Sequence, residues 1–130
     1  MSHHVTHTSV QAWLNRYAEA WRTYDRDAIA SLWTDDAEYR WHPADEPERG
    51  RNAIVEAWLT NKDKPGTYAG DYRPFVGNGD RAVAVGTSTY WTDATRTKVR
   101  RVYYNNWLLE FAEDGRCSSF TEYWMEPRKS

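Results

Sequence analysis

The chain has little of several residue types whose abundance marks specialised classes of protein. Its 130 residues include one cysteine, Cys117, which excludes an internal disulfide and leads us to expect a reducing, cytoplasmic location. The formal net charge is -2, without the basic excess that is typical of nucleic-acid binders. No apolar run is long enough to cross a bilayer, and the first residues lack the apolar core of a secretory signal. We therefore expect no nucleic-acid partner and no membrane association.

Histidine is also scarce, and its placement matters. Three of the four histidines lie at positions 3, 4 and 7, in a stretch (1–8) that we expect to be a flexible tail. The body of the chain holds only His42. It shows no spacing of His, Cys and acidic residues that is typical of a metal site. We therefore expect neither a metal nor another cofactor.

Tryptophan and tyrosine, in contrast, are abundant. Eight Trp and nine Tyr stand beside three Phe. These residues combine a large apolar body with a polar tip. The composition therefore predicts an aromatic cavity, an aromatic interface, or both.

The apolar periodicity predicts three helices in the first half of the chain. The first would be capped by Thr8 or Ser9, and its apolar face comprises Val10, Trp13, Leu14, Tyr17 and Trp21. A short second helix would be capped by Asp25 and would bury Ile29, Leu32 and Trp33. The third would be capped by Asn52, with a buried stripe of Ile54, Val55, Trp58 and Leu59.

Strand patterns dominate the second half. We predict a short strand at 38–42 and longer ones at 68–76, 82–91, 99–111 and 118–126, with turns at GNGD (77–80) and EDGR (113–116). Pro74 indicates that the 68–76 strand is an edge or contains a bulge. Helices segregated on one face of a curved antiparallel sheet make a single domain of the α+β class.

Four short motifs carry a family resemblance. LWTDDA (32–37), GRNAI (50–54), EDGR and EYW (122–124) occur in an order and spacing that resemble the nuclear transport factor 2-like superfamily, in its SnoaL-like and ketosteroid isomerase-like branch. The resemblance covers about 10–127. It implies a cone-shaped sheet wrapped around the N-terminal helices and closing on a pocket. It also implies a homodimer through the outer sheet face, which here would use Tyr90, Tyr104, Asn106, Leu108 and Tyr123.

The resemblance also suggests which strand faces line the pocket. Aligned with the ketosteroid isomerase pattern, the last strand turns Phe120, Glu122 and Trp124 inward. A two-residue turn at Asp114-Gly115 would set Glu122 opposite Trp107. For the strand at 82–91 the same alignment predicts an inward face made of Val83, Val85, Thr87, Thr89 and Trp91.

Two residues are the catalytic candidates. Glu122 is a carboxylate among aromatic rings, where lost hydration raises the pKa and suits it to be a general acid or base. Tyr17 is similar in position to the tyrosine that donates a hydrogen bond to an oxyanion in ketosteroid isomerases. The expected ligand contacts are Trp41, Asn105, Trp107, Trp124, Tyr39, Tyr103, Trp58 and, at the rim, His42.

The sequence departs from the isomerase pattern at two positions. Trp41 stands where an aspartate base is expected, and Trp107 stands where an oxyanion-binding acid is expected. Indoles can do neither task, so steroid isomerisation is not the expected function. The family also contains cyclases, dehydratases, epoxide hydrolases and non-enzymatic modules, so membership does not fix an activity.

Two hypotheses stay open. In the first, the chain is a cofactor-independent pocket protein that binds a small apolar or aromatic molecule, with isomerase, cyclase or dehydratase chemistry carried by Glu122. In the second, it is a dimeric binding or interaction module whose cone is filled by its own aromatic rings. A basic hairpin of Arg96, Lys98, Arg100 and Arg101 could hold an anion, but a solvated hairpin is the expected interpretation.

Overall fold

The structure is a computed structural model in which residues 4–128 are described. These residues form three helices and six strands: α1 (His7–Thr23), α2 (Arg26–Ala30), β1 (Trp33–Arg40), β2 (Glu48–Arg49), α3 (Arg51–Thr60), β3 (Tyr68–Asn78), β4 (Arg81–Trp91), β5 (Val99–Phe111) and β6 (Cys117–Met125). The strands make one curved, unclosed sheet in the order β2-β1-β6-β5-β4-β3. The β1–β6 pair is parallel and the other pairs are antiparallel. The predicted α+β class is confirmed.

Helix α1 begins earlier than the sequence predicted. Its cap is Thr6, not Thr8 or Ser9: the Ser9 N–H donates to Thr6 Oγ1 and the Thr6 N–H donates to Ser9 Oγ, both at 2.9 Å. The Val5 N–H also donates to the Gly79 carbonyl at 2.7 Å. The predicted tail is therefore shorter than eight residues, and the part of that prediction at positions 1–3 lies outside the described residues.

Helix α2 is shorter than predicted, because it ends at Ala30 and its last predicted residue lies in a strand. Trp33 begins β1 and pairs with Cys117 of β6, because sheet pairing outweighs the local helical spacing. Strand β1 ends at Arg40, so His42 lies in the following loop. Helix α3 is capped by Gly50, whose φ of 91° favours glycine, and not by Asn52.

The register between β5 and β6 was predicted correctly around the candidate acid. Trp107 lies opposite Glu122 and Asn105 lies opposite Trp124. The turn itself differs, because the Ala112 N–H donates to the Arg116 carbonyl across three residues. A bulge after Glu110 compensates for the change. The bulge predicted at Pro74 is also present, in edge strand β3.

The predicted orientation of β4 is wrong. Its inner face carries Ala82, Ala84, Gly86, Ser88 and Tyr90, and the valines lie on the other face. Large rings from neighbouring elements occupy the space in front of this strand, so only small side chains fit there. Gly86 is the tightest position, since a Cβ would lie 2.1 Å from a backbone oxygen of β3. Tyr90 consequently faces the interior and is not part of the outer face.

The core between α1, α3 and the sheet is built from aromatic rings. Phe120 lies between Tyr17 and Tyr39, at centroid distances of 5.5 and 4.6 Å and nearly parallel to both. The largest fully buried side chains of the core are Trp13, Trp33, Trp58, Trp107, Tyr39 and Phe120. Only Trp13 among these indoles has a partner, the Leu32 carbonyl at 3.1 Å, whereas the N–H groups of the other three have none among the described residues. Each unpaired buried donor costs about 1–3 kcal/mol.

Candidate functional site

A cavity of about 230 Å³, the inner cavity, opens between α1 and the concave face of the sheet. For scale, a cavity of about 150 Å³ accepts benzene. The cone is therefore not filled by its own rings, and the space admits a small cyclic compound. The lining residues are Tyr17, Trp21, Trp41, Tyr68, Tyr72, Ser88, Tyr90, Tyr103, Asn105, Glu122 and Trp124.

Glu122 is the only carboxylate among the described residues that line this cavity. It is half-buried, and we find no hydrogen bond or ion pair from it to any described residue. Burial among aromatic rings raises its pKa from 4.5 to about 8, because no nearby cation offsets the lost hydration. The group can therefore hold a proton at neutral pH and still release it within the physiological range.

A set of four side chains, the hydroxyl network, forms a second polar patch in the lining of this cavity. The Tyr68 and Tyr72 hydroxyls are 2.6 Å apart, Tyr72 Oη is 2.5 Å from Ser88 Oγ, and Asn105 Nδ2 donates to Ser88 Oγ at 2.8 Å. Gly70 allows the two phenols to meet, since a Cβ there would lie 2.2 Å from Tyr68 Oη.

Counting protons shows what this network can offer. Three hydroxyl groups carry three protons, and two bonds among themselves use only two of them. At least one O–H is thus left without an acceptor among the described residues. Burial raises the pKa of Tyr68 and of Tyr72 far above the ordinary value, so both stay protonated donors. The network suits a carbonyl or hydroxyl oxygen of a ligand.

Most residues of this network were not predicted from the sequence. Asn105 was expected in the site, but Tyr68, Tyr72 and Ser88 were not. Tyr68 and Tyr72 share one strand parity, which was a usable signal. Ser88 was hidden by the wrong orientation assigned to β4.

Tyr17, the second catalytic candidate, lines the inner cavity from α1. Its hydroxyl lies 3.4 Å from that of Tyr39, a long contact. Burial raises its pKa well above the ordinary value, so the phenol is a neutral donor at any working pH. Its catalytic role stays a prediction.

The expected ligand contacts divide into two groups. Trp41, Tyr103, Asn105 and Trp124 line the inner cavity, and their binding of a ligand stays a prediction.

The structure places the others elsewhere. Tyr39, Trp58 and Trp107 are fully buried behind the cavity wall, and Trp107 packs 4.3 Å from the Tyr72 ring. His42 is exposed, its ring centroid 6.4 Å from Trp124, and its Nδ1 accepts from the Ala44 N–H at 3.1 Å. It lies at the rim and not in the cavity.

A second cavity, the outer basin, adjoins the first. Its volume is about 570 Å³, and it shares Trp21, Trp41, Tyr90 and Tyr103 with the inner cavity. It adds five polar residues: Asp45, Asn61, Asp63, Arg100 and Arg101. The inner cavity is therefore mainly aromatic with a few polar groups, and the outer basin is more highly charged. Among residues 4–128, no group of three or more His, Cys, Asp or Glu side chains is placed to hold a metal ion.

The described residues contain no helix that is both long and apolar enough to cross a membrane.

Solved structures share this architecture. An NTF-2 like protein of unknown function from Burkholderia xenovorans superposes with a TM-score of 0.70 at 21% identity, over 95% of this chain and 88% of that one. An LEH-like epoxide hydrolase from M. tuberculosis gives a TM-score of 0.66 at 15% identity, over 91% and 84%. A proposed ketosteroid isomerase from Kribbella flavida gives 0.65 at 18% identity, over 95% and 82%. At these identities the likeness shows the fold.

Sequence comparison identifies the family. No curated protein sequence matches the chain significantly. The model of the SnoaL-like domain matches residues 14–120, most of the chain, and the predicted resemblance is thereby confirmed. The protein belongs to the SnoaL-like domain family, within the NTF2-like fold.

Proposed function

We propose that this protein is a cofactor-independent acid–base enzyme of the isomerase, cyclase or dehydratase type. Its substrate is a small apolar, cyclic or aromatic compound that carries a carbonyl or hydroxyl oxygen. The observation that carries the proposal is Glu122: a carboxylate without a partner among the described residues, facing a cavity of ligand size. Isolated carboxylates of this kind are costly to a fold and concentrate at functional sites.

The geometry divides the work between two groups. Glu122 removes a proton from the carbon next to the carbonyl, and the electron pair of that C–H bond moves towards the carbonyl oxygen. A hydroxyl of the network donates to that oxygen and stabilises its developing charge. Return of the proton from Glu122 to a different carbon completes an isomerisation, whereas its transfer to a hydroxyl on the carbon β to the carbonyl, which then leaves as water, completes a dehydration.

The relatives support acid–base chemistry without fixing the reaction. Two structural neighbours are named as an epoxide hydrolase and a proposed isomerase. In this chain Trp41 and Trp107 cannot supply protons. Among the described residues of the inner cavity, Glu122 is thus the group to which the proton transfer falls.

Hydrogen–deuterium exchange on a cyclic aromatic ketone tests the proposal without knowledge of the natural substrate. Mass spectrometry of α-tetralone incubated in D₂O with the protein should show accelerated exchange next to the carbonyl. Glu122→Gln should slow the enzyme-dependent rate at least about 100-fold, in line with the usual contribution of general base catalysis.

Glu113→Gln is the matched control, because Glu113 is exposed in the turn between β5 and β6. It should exchange like the wild type. Equal exchange by wild type and Glu122→Gln would remove Glu122 from the chemistry.

We also propose a homodimer through the outer sheet face. Tyr104, Leu108 and Tyr123 are 47%, 43% and 45% exposed on that face, which is unusual for large apolar side chains lying together on neighbouring strands. Asn106 lies between Tyr104 and Leu108 on the same face. Tyr90 is removed from the predicted interface, because it lines the inner cavity.

A further inference from the structure

The outer basin contains two arginines that a bulge turns to the same side. Tyr90 pairs with Arg101, whereas Trp91 pairs with Val99, so Arg100 is an extra residue in β5. Adjacent strand residues normally face opposite sides of a sheet. Here both Arg100 and Arg101 line the basin. Bulges commonly re-aim side chains next to binding sites.

The guanidinium groups keep most of their donors free. Arg100 makes no hydrogen bond to a described residue, and its Nη2 is 3.8 Å from Asp63 Oδ1. Arg101 donates from Nη1 to the Tyr103 hydroxyl at 2.8 Å, and its Nε is 3.8 Å from Glu126. Each guanidinium lies near an aromatic ring, 5.6 Å from Tyr90 and Tyr103 respectively. Ring packing of this kind orients the donors without consuming them.

Arg96, in the same hairpin, is different. It lies 4.5 Å over the Trp91 ring and donates to the carbonyls of Gly66 and Tyr68 at 3.0 and 3.2 Å. Two of its donor nitrogens are thus used within the fold. The expected solvated hairpin agrees with the exposure of Arg100 and Arg101, whose freer donors distinguish them from Arg96.

Two carboxylates also line the basin. Asp63 Oδ2 already accepts from Trp21 Nε1 at 3.1 Å and from the Tyr24 hydroxyl at 2.9 Å, so this group is largely occupied. Asp45 is exposed in the loop after β1 and has no ion pair with a described residue. It acts on a bound anion as a nearby like charge.

We infer that the outer basin binds a carboxylate through Arg100 and Arg101, so that the protein selects cyclic compounds bearing an acidic side chain. The two arginines present planar donor forks that match a carboxylate. The four aromatic residues that line both cavities place the basin directly beside the inner cavity, where the side chain of a seated ring would reach it. The inference rests on the proposed function in one respect, the seating of the ring in the inner cavity.

Three probes of the same shape test which ligand charge the outer basin prefers: naphthylpropanoate, its amide and naphthylpropylamine. NMR titration of the intact chain should give the tightest binding for the acid. Arg100→Gln and Arg101→Gln should each lower the affinity for the acid about five- to tenfold and leave the affinity for the amide unchanged. Asp45→Asn should raise the affinity for the acid about two- to threefold, because it removes a negative charge near the bound carboxylate.

Arg73→Gln controls for net charge, since Arg73 is exposed on β3 and away from both cavities. It should bind all three probes like the wild type. Equal affinity for acid and amide, preference for the amine, or loss of acid binding in Arg73→Gln to the same degree as in Arg100→Gln would overturn the inference.

The result is separable from the catalytic proposal. Arginine-dependent acid binding without any ketone exchange would refute the catalysis alone. Ketone exchange together with equal binding of acid and amide would refute the basin alone. Failure of every probe to bind would refute the basin, and the absence of exchange on α-tetralone in the same protein would refute the catalysis as well.

Discussion

The half-buried carboxylate of Glu122 makes the stability of this protein depend on pH in an unusual direction. In the folded state the pKa of Glu122 is about 8, against 4.5 for a solvated glutamate. Between these values the folded chain binds one proton more than the unfolded chain. The free energy of unfolding therefore falls by about 1.4 kcal/mol for each pH unit of increase in that window.

The structure sets the size of the effect. A difference of about 3.5 between the two pKa values corresponds to about 5 kcal/mol if the carboxylate is fully desolvated. Glu122 keeps some surface towards the cavity, which reduces the penalty. We expect about 3–5 kcal/mol, a large part of the stability of a domain of this size.

Glu122→Gln isolates this contribution, because glutamine has a similar shape and does not ionise. Urea unfolding of both proteins between about pH 5 and about pH 9 should show a difference that grows in favour of the variant up to about pH 8 and is constant above it. The other titrating groups cancel in the comparison. Glu113→Gln, at an exposed turn, should follow the wild type. A difference between wild type and Glu122→Gln that does not vary with pH would show that the carboxylate is hydrated, and would refute the reasoning.

Three further predictions follow from the packing and the outer face. Ser88→Ala removes the centre of the hydroxyl network and should lower the free energy of urea unfolding by about 1–3 kcal/mol; an unchanged midpoint would contradict the bonds described. Gly86→Ala should lower the thermal unfolding midpoint far more than Gly115→Ala does. A Cβ at Gly86 would lie 2.1 Å from a backbone oxygen, whereas a Cβ at Gly115 has open space and is disfavoured only by the backbone φ of 88°. Replacing Leu108 and Tyr123 together by glutamate should give a folded monomer in light scattering, and a wild-type protein that is itself monomeric would disprove the dimer.

The parts of the fold that the sequence revealed are those governed by local chemistry. The β5–β6 register could be counted because a short turn and period-two alternation constrain it, and the bulge after Glu110 offset the error in the turn. Trp33 was misassigned because its helical spacing is local, whereas its partner Cys117 is far along the chain.

Strand β4 shows a second limit. Its alternating alanines and valines suit either orientation, and the alignment with the isomerase pattern placed the valines inward. The choice depends on volume already filled by rings from other elements, which single-strand patterns do not record.

The same limit explains the candidate site. Glu122, Asn105 and the rings of Trp41, Tyr103 and Trp124 line the inner cavity, because on their segments the alignment chose the face that the structure turns inward, whereas on β4 it did not. The hydroxyl network joins β3, β4 and β5, and the two-arginine basin depends on a bulge. Both the network and the basin depend on tertiary structure, which the pattern of a single strand does not reveal.

The position of β6 has a consequence for how the chain is made. This strand is the last element in sequence order, yet it lies between β1 and β5. A ribosome adds about 5–20 residues per second, so Trp33 waits roughly 4–17 s for its partner Cys117 to be synthesised. During that time the rings of α1 and β1 have no completed sheet to cover them and are exposed to aggregation and to chaperones. The inner cavity and the centre of the sheet are then completed together, late in folding, because both depend on β6.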